Sequence, residues 1–188
     1  DKDLADLKDN EIINYKSDYY RLFYRDQLVH DFKMENNFYY VYRRDYDTYL
    51  IDQFRQSGGE IWEGREVVDI DFEEKRITTA QGKSLSAKYI IAADGANSLI
   101  RNKLLATKKR HLQEDFKNGM AVSLEAVIPR KKIQFKLDYP VINYGIINWG
   151  YGWIFPRKEA VVAGIVGLKN NNGNFLDIFS DYLAMWSL

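Results

Sequence analysis

From Glu11 to Tyr42 short runs of β-branched and aromatic residues alternate with polar breaks at Ser17-Asp18, Arg25-Asp26 and Glu35-Asn36-Asn37. Side chains of that kind pack well on a pleated surface, so the pattern predicts strands joined by tight turns. At Asp45 the period changes. Tyr46, Tyr49, Leu50 and Phe54 recur at helical spacing, which predicts a helix with Asp45 as N-cap and Gly58-Gly59 as its stop. Alternating Val68, Ile70 and Phe72, a charged turn at Glu73-Glu74-Lys75 and a further strand around Ile77 predict a small meander. Tyr89-Ile90-Ile91-Ala92-Ala93 is apolar at successive positions, as expected of a strand covered on both faces, and ends at Asp94-Gly95. Asn97 or Ser98 then opens a short helix toward Leu105.

The polar stretch from Lys108-Lys109-Arg110 to Asn118 predicts an exposed crossing between domains. Beyond it, strands are expected at Met120–Ile128, Ile133–Leu137, Val141–Ile147, Tyr151–Phe155 and Val161–Val166, together a largely antiparallel sheet. An amphipathic helix follows, with Phe175, Ile178, Phe179, Tyr182 and Trp186 on one face. The charged start and the uncapped end at Leu188 read as cuts in a longer protein.

Composition narrows the function classes. Lys plus Arg and Asp plus Glu each total 27 of 188 residues, so no net field favours nucleic acid. Without cysteine there are no disulfides or thiolate metal sites, and the separated His30 and His111 predict no metal centre. No apolar run approaches a bilayer span, so a cytoplasmic setting with at most peripheral membrane contact is expected. Nine of the 14 tyrosines fall between Tyr15 and Tyr49, which reinforces the strand reading there.

Three features carry candidate chemistry. In Ala93-Asp94-Gly95-Ala96-Asn97-Ser98-Leu99-Ile100-Arg101 an apolar run enters a glycine turn and then a helix, the kind of strand end at which α/β proteins bind nucleotides. Gly95 lets the backbone bend closely around a ligand, Asp94 can accept hydrogen bonds from sugar hydroxyls, and Arg101 can pair with Asp94 or meet a phosphate. A strand-to-helix turn with Asp94 as a local cap explains the same residues equally well. Arg43, at the start of the predicted helix, lies where an anion would relieve its repulsion from the positive end of the helix dipole. Asp45 and Asp47 already offer compensating charge. Trp149, Tyr151, Trp153 and Phe155 alternate with Gly150, Gly152 and Ile154, which puts four aromatics on one strand face and leaves the other nearly bare. Such a wall serves either as plain core or as the lining of an apolar pocket.

Arg43-x-x-Tyr46-Asp47-x-x-Leu50, the Ala-Asp-Gly-Ala-Asn-Ser-x-x-Arg stretch at 93–101, and Tyr151-Gly-Trp153-Ile-Phe155-Pro156 together resemble the geranylgeranyl reductase family from about Tyr39 to Leu168. Those are FAD enzymes related to the aromatic hydroxylases. The resemblance implies FAD as cofactor, an isoprenoid or lipid substrate, and an electron donor such as NAD(P)H or ferredoxin. It implies Arg43, Asp94, Gly95 and Arg101 at the cofactor, and Trp149, Tyr151, Trp153 and Phe155 along the isoprenoid cavity; it nominates no catalytic proton donor. The implied fold is α+β, part of a Rossmann-like FAD-binding α/β domain at 43–106 interleaved with a substrate-binding sheet from 1–42 and 107–188. The chain departs from the family after Pro156, where a Gly-x-Gly is replaced by Gly164-Ile165-Val166 with Gly167 displaced by one. It also lacks a Gly-x-Gly-x-x-Gly loop. An FAD-dependent aromatic monooxygenase or halogenase would use the same Asp-Gly turn, and a non-catalytic lipid-binding module would leave it idle.

Overall fold

The computed structural model describes residues 2–106, 114 and 118–188; the basic run Lys108-Lys109-Arg110 lies outside them. In chain order the elements are α1 (Lys2–Asp9), β1 (Ile13–Tyr24), β2 (Gln27–Val41), α2 (Arg43–Gln56), β3 (Val67–Asp71), β4 (Arg76–Thr79), β5 (Ser84–Ser86) and α3 (Leu99–Ala106). They continue with β6 (Ala121–Pro129), β7 (Val141–Tyr144), β8 (Gly150–Pro156), β9 (Ala160–Leu168) and α4 (Phe175–Met185). The architecture is α+β. Two compact units form, one from Asp1–Phe54 with Asn118–Leu188 and the other from Arg55–Lys117.

The first unit is built on a six-stranded sheet in the order β2-β1-β7-β8-β9-β6. All its pairs are antiparallel except β1 with β7, where Arg21 to Tyr24 run alongside Val141 to Tyr144. The hairpin turn falls at Arg25-Asp26 as the polar break predicts, with Arg25 in the left-handed region at φ 54°. The other two breaks are not turns. Ser17 pairs with Phe38 and Tyr19 with Lys33, so Met34 to Asn37 bulge opposite Asp18 within one long hairpin. The hydroxyl of Ser17 holds that bulge by donating to Tyr19 O at 2.8 Å and accepting from Tyr19 N at 3.2 Å.

One sheet face carries the core. Val141, Ile154, Val161, Ala163 and Ile165 pack there with Leu137, Ile147 and Tyr182, the last from α4. Asn174 caps α4 by accepting from Leu176 N at 3.0 Å. Ile133–Leu137 is not the expected strand: it follows a tight turn at Arg130–Lys132 and sends Leu137 into the core without joining a ladder. Asn143, fully buried, donates to Arg25 O at 2.6 Å and accepts from Trp186 Nε1 at 3.0 Å, tying the hairpin turn to the end of α4.

α2 begins two residues before the expected cap. Tyr46 N already bonds Tyr42 O, so Asp45 sits inside the first turn, where a carboxylate still meets the favourable end of the dipole. Gly58, at φ 85°, follows its end.

In the second unit β3, β4 and β5 form the antiparallel meander that the alternation predicts. Tyr89–Ala93 departs from expectation. Tyr89 is 77% and Ile91 90% exposed, and no described strand pairs with the segment. An apolar run becomes a two-faced strand only where neighbours supply both its ladder partners and its cover, and this unit's three strands bond one another instead.

Candidate functional site

At the end of that segment Gly95 takes φ 80°, a conformation natural to glycine. The reversed backbone brings Asp94 over the first turn of α3. Asp94 Oδ1 accepts from the Ser98 hydroxyl at 2.5 Å and Oδ2 from Ile100 N at 3.3 Å. Ser98 Oγ in turn accepts from Arg101 N at 2.9 Å, so Ser98 is the N-cap residue of α3. Those bonds, the Ser98 hydroxyl first, hold the Asp94 carboxyl below the usual carboxylate range. Arg101 donates from Nη2 to the side chain of Asn102 at 3.1 Å.

Asp94, Asn97 and Leu99 line a cavity of about 490 Å³ whose other walls include Val67, Ile77 and Ala92. A Cβ built on Gly95 would meet nothing within 4 Å, so the outer side of the turn is open. An ionised carboxylate with lone pairs to spare, beside an open glycine turn, fits the hydroxyl-rich sugar portion of a dinucleotide. It does not by itself fit a pyrophosphate.

In the first unit Arg43 is the first residue of α2. Its Nε and Nη2 both bond the Asp47 carboxylate at 3.1 Å, which raises the guanidinium pKa and supplies the compensating charge one turn on. Tyr151, Trp153 and Phe155 share the sheet face away from α4, with ring centroids 6.0 and 6.3 Å apart. Tyr144 and Tyr40 extend the row, at 6.0 Å from Tyr151 and 5.9 Å from Phe155. Trp149 does not join it. The loop that reverses the chain between β7 and β8 puts Trp149 at φ 49° and 77% exposed, one residue before the pleat begins.

Nor is the opposite face of β8 bare. It is the core face, and a Cβ on Gly152 would lie 2.4 Å from Ile146 Cδ1 and 2.8 Å from Tyr182 Cζ. Gly152 there admits Ile146 and the Tyr182 ring of α4 to the backbone, while Gly150 lies against the β9 backbone at Val166 and Gly167. On the aromatic face Gly164 does the same for Trp153, whose indole Cζ2 would be 2.2 Å from an added Cβ.

Phe155 and Arg43 meet in a cavity of about 640 Å³, with Tyr20, Met34, Phe38, Tyr40 and Arg157 among its other walls. Burial pushes the Tyr40 phenol well above its ordinary pKa, so it is a neutral hydrogen-bonding group at any physiological pH. Tyr20, Phe38, Tyr40 and Arg157 escape sequence reasoning as site residues. Their only signals were the crowding of tyrosines before Tyr49 and an arginine directly after Pro156.

Comparison with known proteins is decisive at the level of family. Residues 17–137, more than half of the chain, match the FAD binding domain family. The chain belongs to that family. The chain is 25% identical over 168 residues to an uncharacterised protein of Methanosarcina barkeri, covering 88% of this chain and 41% of that one. Among solved structures it resembles a geranylgeranyl bacteriochlorophyll reductase-like protein of Thermoplasma acidophilum, with TM-score 0.74, 20% identity, and 97% and 49% of the two chains covered. It also resembles the halogenase PltM in complex with phloroglucinol and FAD, with TM-score 0.64, 12% identity, and 93% and 40% covered. The chain thus spans less than half the length of each of these relatives. The cofactor of the family is FAD.

Proposed function

We propose that this FAD binding domain serves an FAD-dependent oxidoreductase that reduces double bonds of an isoprenoid or similar lipid. The observation that carries the reading is the aromatic face, where Tyr20, Phe38, Tyr40 and Phe155 surround a cavity of about 640 Å³ with predominantly apolar walls. An apolar chain gains roughly 0.8 kcal/mol for each methylene that such a lining removes from water. Bound in its reduced form, FAD would supply the hydride equivalent, with NAD(P)H or ferredoxin restoring it. Asp94 and the Gly95 turn would hold the cofactor's sugar hydroxyls, while Phe155 and Tyr40 would hold the substrate and exclude water. Arg43, already paired with Asp47, would meet the cofactor as a neutralised pair rather than as a free cation.

The test belongs in a protein of the relatives' length, loaded with FAD and reduced without oxygen. Addition of a geranylgeranyl lipid is expected to reoxidise the flavin in step with loss of alkene, followed by absorbance and mass spectrometry. Reoxidation that instead requires oxygen and a phenolic substrate would replace this reading with a monooxygenase or halogenase, a chemistry whose enzymes share the fold.

A further inference from the structure

Arg157 continues the alternation of Trp153 and Phe155 past the end of β8 and lines the same cavity as Phe155 and Tyr40. Its backbone is fixed on both sides: Arg157 N donates to Ala160 O at 2.8 Å, and Arg157 O accepts from Arg130 Nε at 2.7 Å. The guanidinium lies 5.0 Å from the Tyr40 ring centroid and 5.9 Å from that of Tyr42. Nη1 is spent on the adjacent Pro156 O at 3.1 Å, and the buried Nε has no acceptor.

Its neighbours are matched to carboxylates. Arg43 pairs with Asp47, Arg21 with Asp31, and Arg130 with Asp138. No described carboxylate lies within 4 Å of Arg157; Glu125 attracts it only through a longer gap, more weakly than burial opposes its charge. A half-buried guanidinium without a counter-ion loses hydration that aromatic faces only partly replace. An oxyanion would restore what is missing, because a guanidinium fork is shaped to give two parallel hydrogen bonds to a phosphate or carboxylate.

We propose that Arg157 anchors the oxyanion end of the substrate, so that the cavity selects an apolar chain terminated by a phosphate or carboxylate over its neutral alcohol. This rests on the reading of the aromatic cavity as the lipid site. The head group would meet Arg157 while the chain runs along Phe155, Tyr20 and Phe38. A neutral chain would leave the cation as it stands now.

The test is a binding titration of a protein of the relatives' length that contains this chain, followed by tryptophan fluorescence below the micellar range of the ligands. The probes are geranylgeranyl monophosphate, geranylgeraniol and FAD. Wild type is expected to prefer the phosphate over the alcohol by about tenfold to a hundredfold, the scale of a charge-assisted pair. Arg157→Gln should bring the two within about threefold by weakening the phosphate alone. Arg157→Lys should retain part of the preference, as a point charge without the fork. A preference that survives Arg157→Gln, or equal binding of both lipids to wild type, overturns the anchor and leaves the lipid cavity standing. If neither lipid binds wild type, both readings fall. Arg157→Gln that weakens FAD while sparing the phosphate lipid would assign the cation to the cofactor and overturn the proposal.

Discussion

At the scale of single residues, the Asp94 turn is a local cap that leaves room for the proposed cofactor contact. Asp94 accepts from Ser98 and Ile100, yet each carboxylate oxygen keeps a lone pair for a cofactor hydroxyl. Because the Ser98 hydroxyl and the backbone amides depress the folded-state pKa, the stabilisation is complete above the ordinary carboxylate value and is lost as pH falls through the lower folded value. Ser98→Ala removes the bond to Asp94 and the cap to Arg101 N together. Its destabilisation should therefore have two parts. The cap part, about 1 kcal/mol, should persist at every pH; the part owed to Asp94 should fade below about pH 4. Thermal unfolding of wild type and Ser98→Ala from pH 7 to pH 3 checks this. A gap between the two that widens on acidification would show that Asp94 is not held by Ser98. The glycine and the capping serine were legible in the sequence because both act within one turn of chain. That the Ser98 hydroxyl donates to the Asp94 carboxylate was not, since it depends on the φ that Gly95 adopts.

Among the elements, β8 shows what alternation can and cannot say. Period two correctly put Tyr151, Trp153 and Phe155 on one face, but it could not say that the glycine face is the one beneath α4. The two faces should answer differently to an added methyl. Gly152→Ala drives a Cβ into Ile146 and the Tyr182 ring, between a packed helix and the sheet, and should cost about 1 to 3 kcal/mol of stability. Gly164→Ala meets the Trp153 indole, on the face away from α4. Its signature should be a changed tryptophan signal in near-ultraviolet circular dichroism, with a loss of stability of similar size because the Trp153 ring is buried. Denaturant unfolding together with the dichroism spectra separates the two, and a neutral Gly152→Ala would contradict the close packing of α4. Trp149 was misplaced for a related reason. Alternation counts positions, but only the loop geometry decides where the pleat begins.

Across the whole molecule, the family assignment and the limits of this chain bear on cofactor binding together. Residues 17–137 place it in the FAD binding domain family, yet the sequence contains no Gly-x-Gly-x-x-Gly turn to cradle a pyrophosphate. Equilibrium dialysis of these 188 residues against FAD should therefore find weak binding or none. Stoichiometric, tightly retained flavin would mean that phosphate contacts come from elsewhere in the chain. What the sequence determined by itself were the features set within a few residues: the hairpin turn at Arg25-Asp26, the helix carrying Tyr46 to Phe54, the Gly95 turn, and the shared face of Tyr151, Trp153 and Phe155. Their signals are backbone preference and side-chain period, which a short stretch of chain contains entirely. Only the tertiary structure decided that Tyr20 and Tyr40 meet Phe155 and Arg157, because more than a hundred positions separate them and the parallel pairing of β1 with β7 brings them onto one sheet. The same pairing leaves Arg157 half-buried without a carboxylate, since the desolvation of a charge depends on what the fold packs around it rather than on its neighbours in sequence.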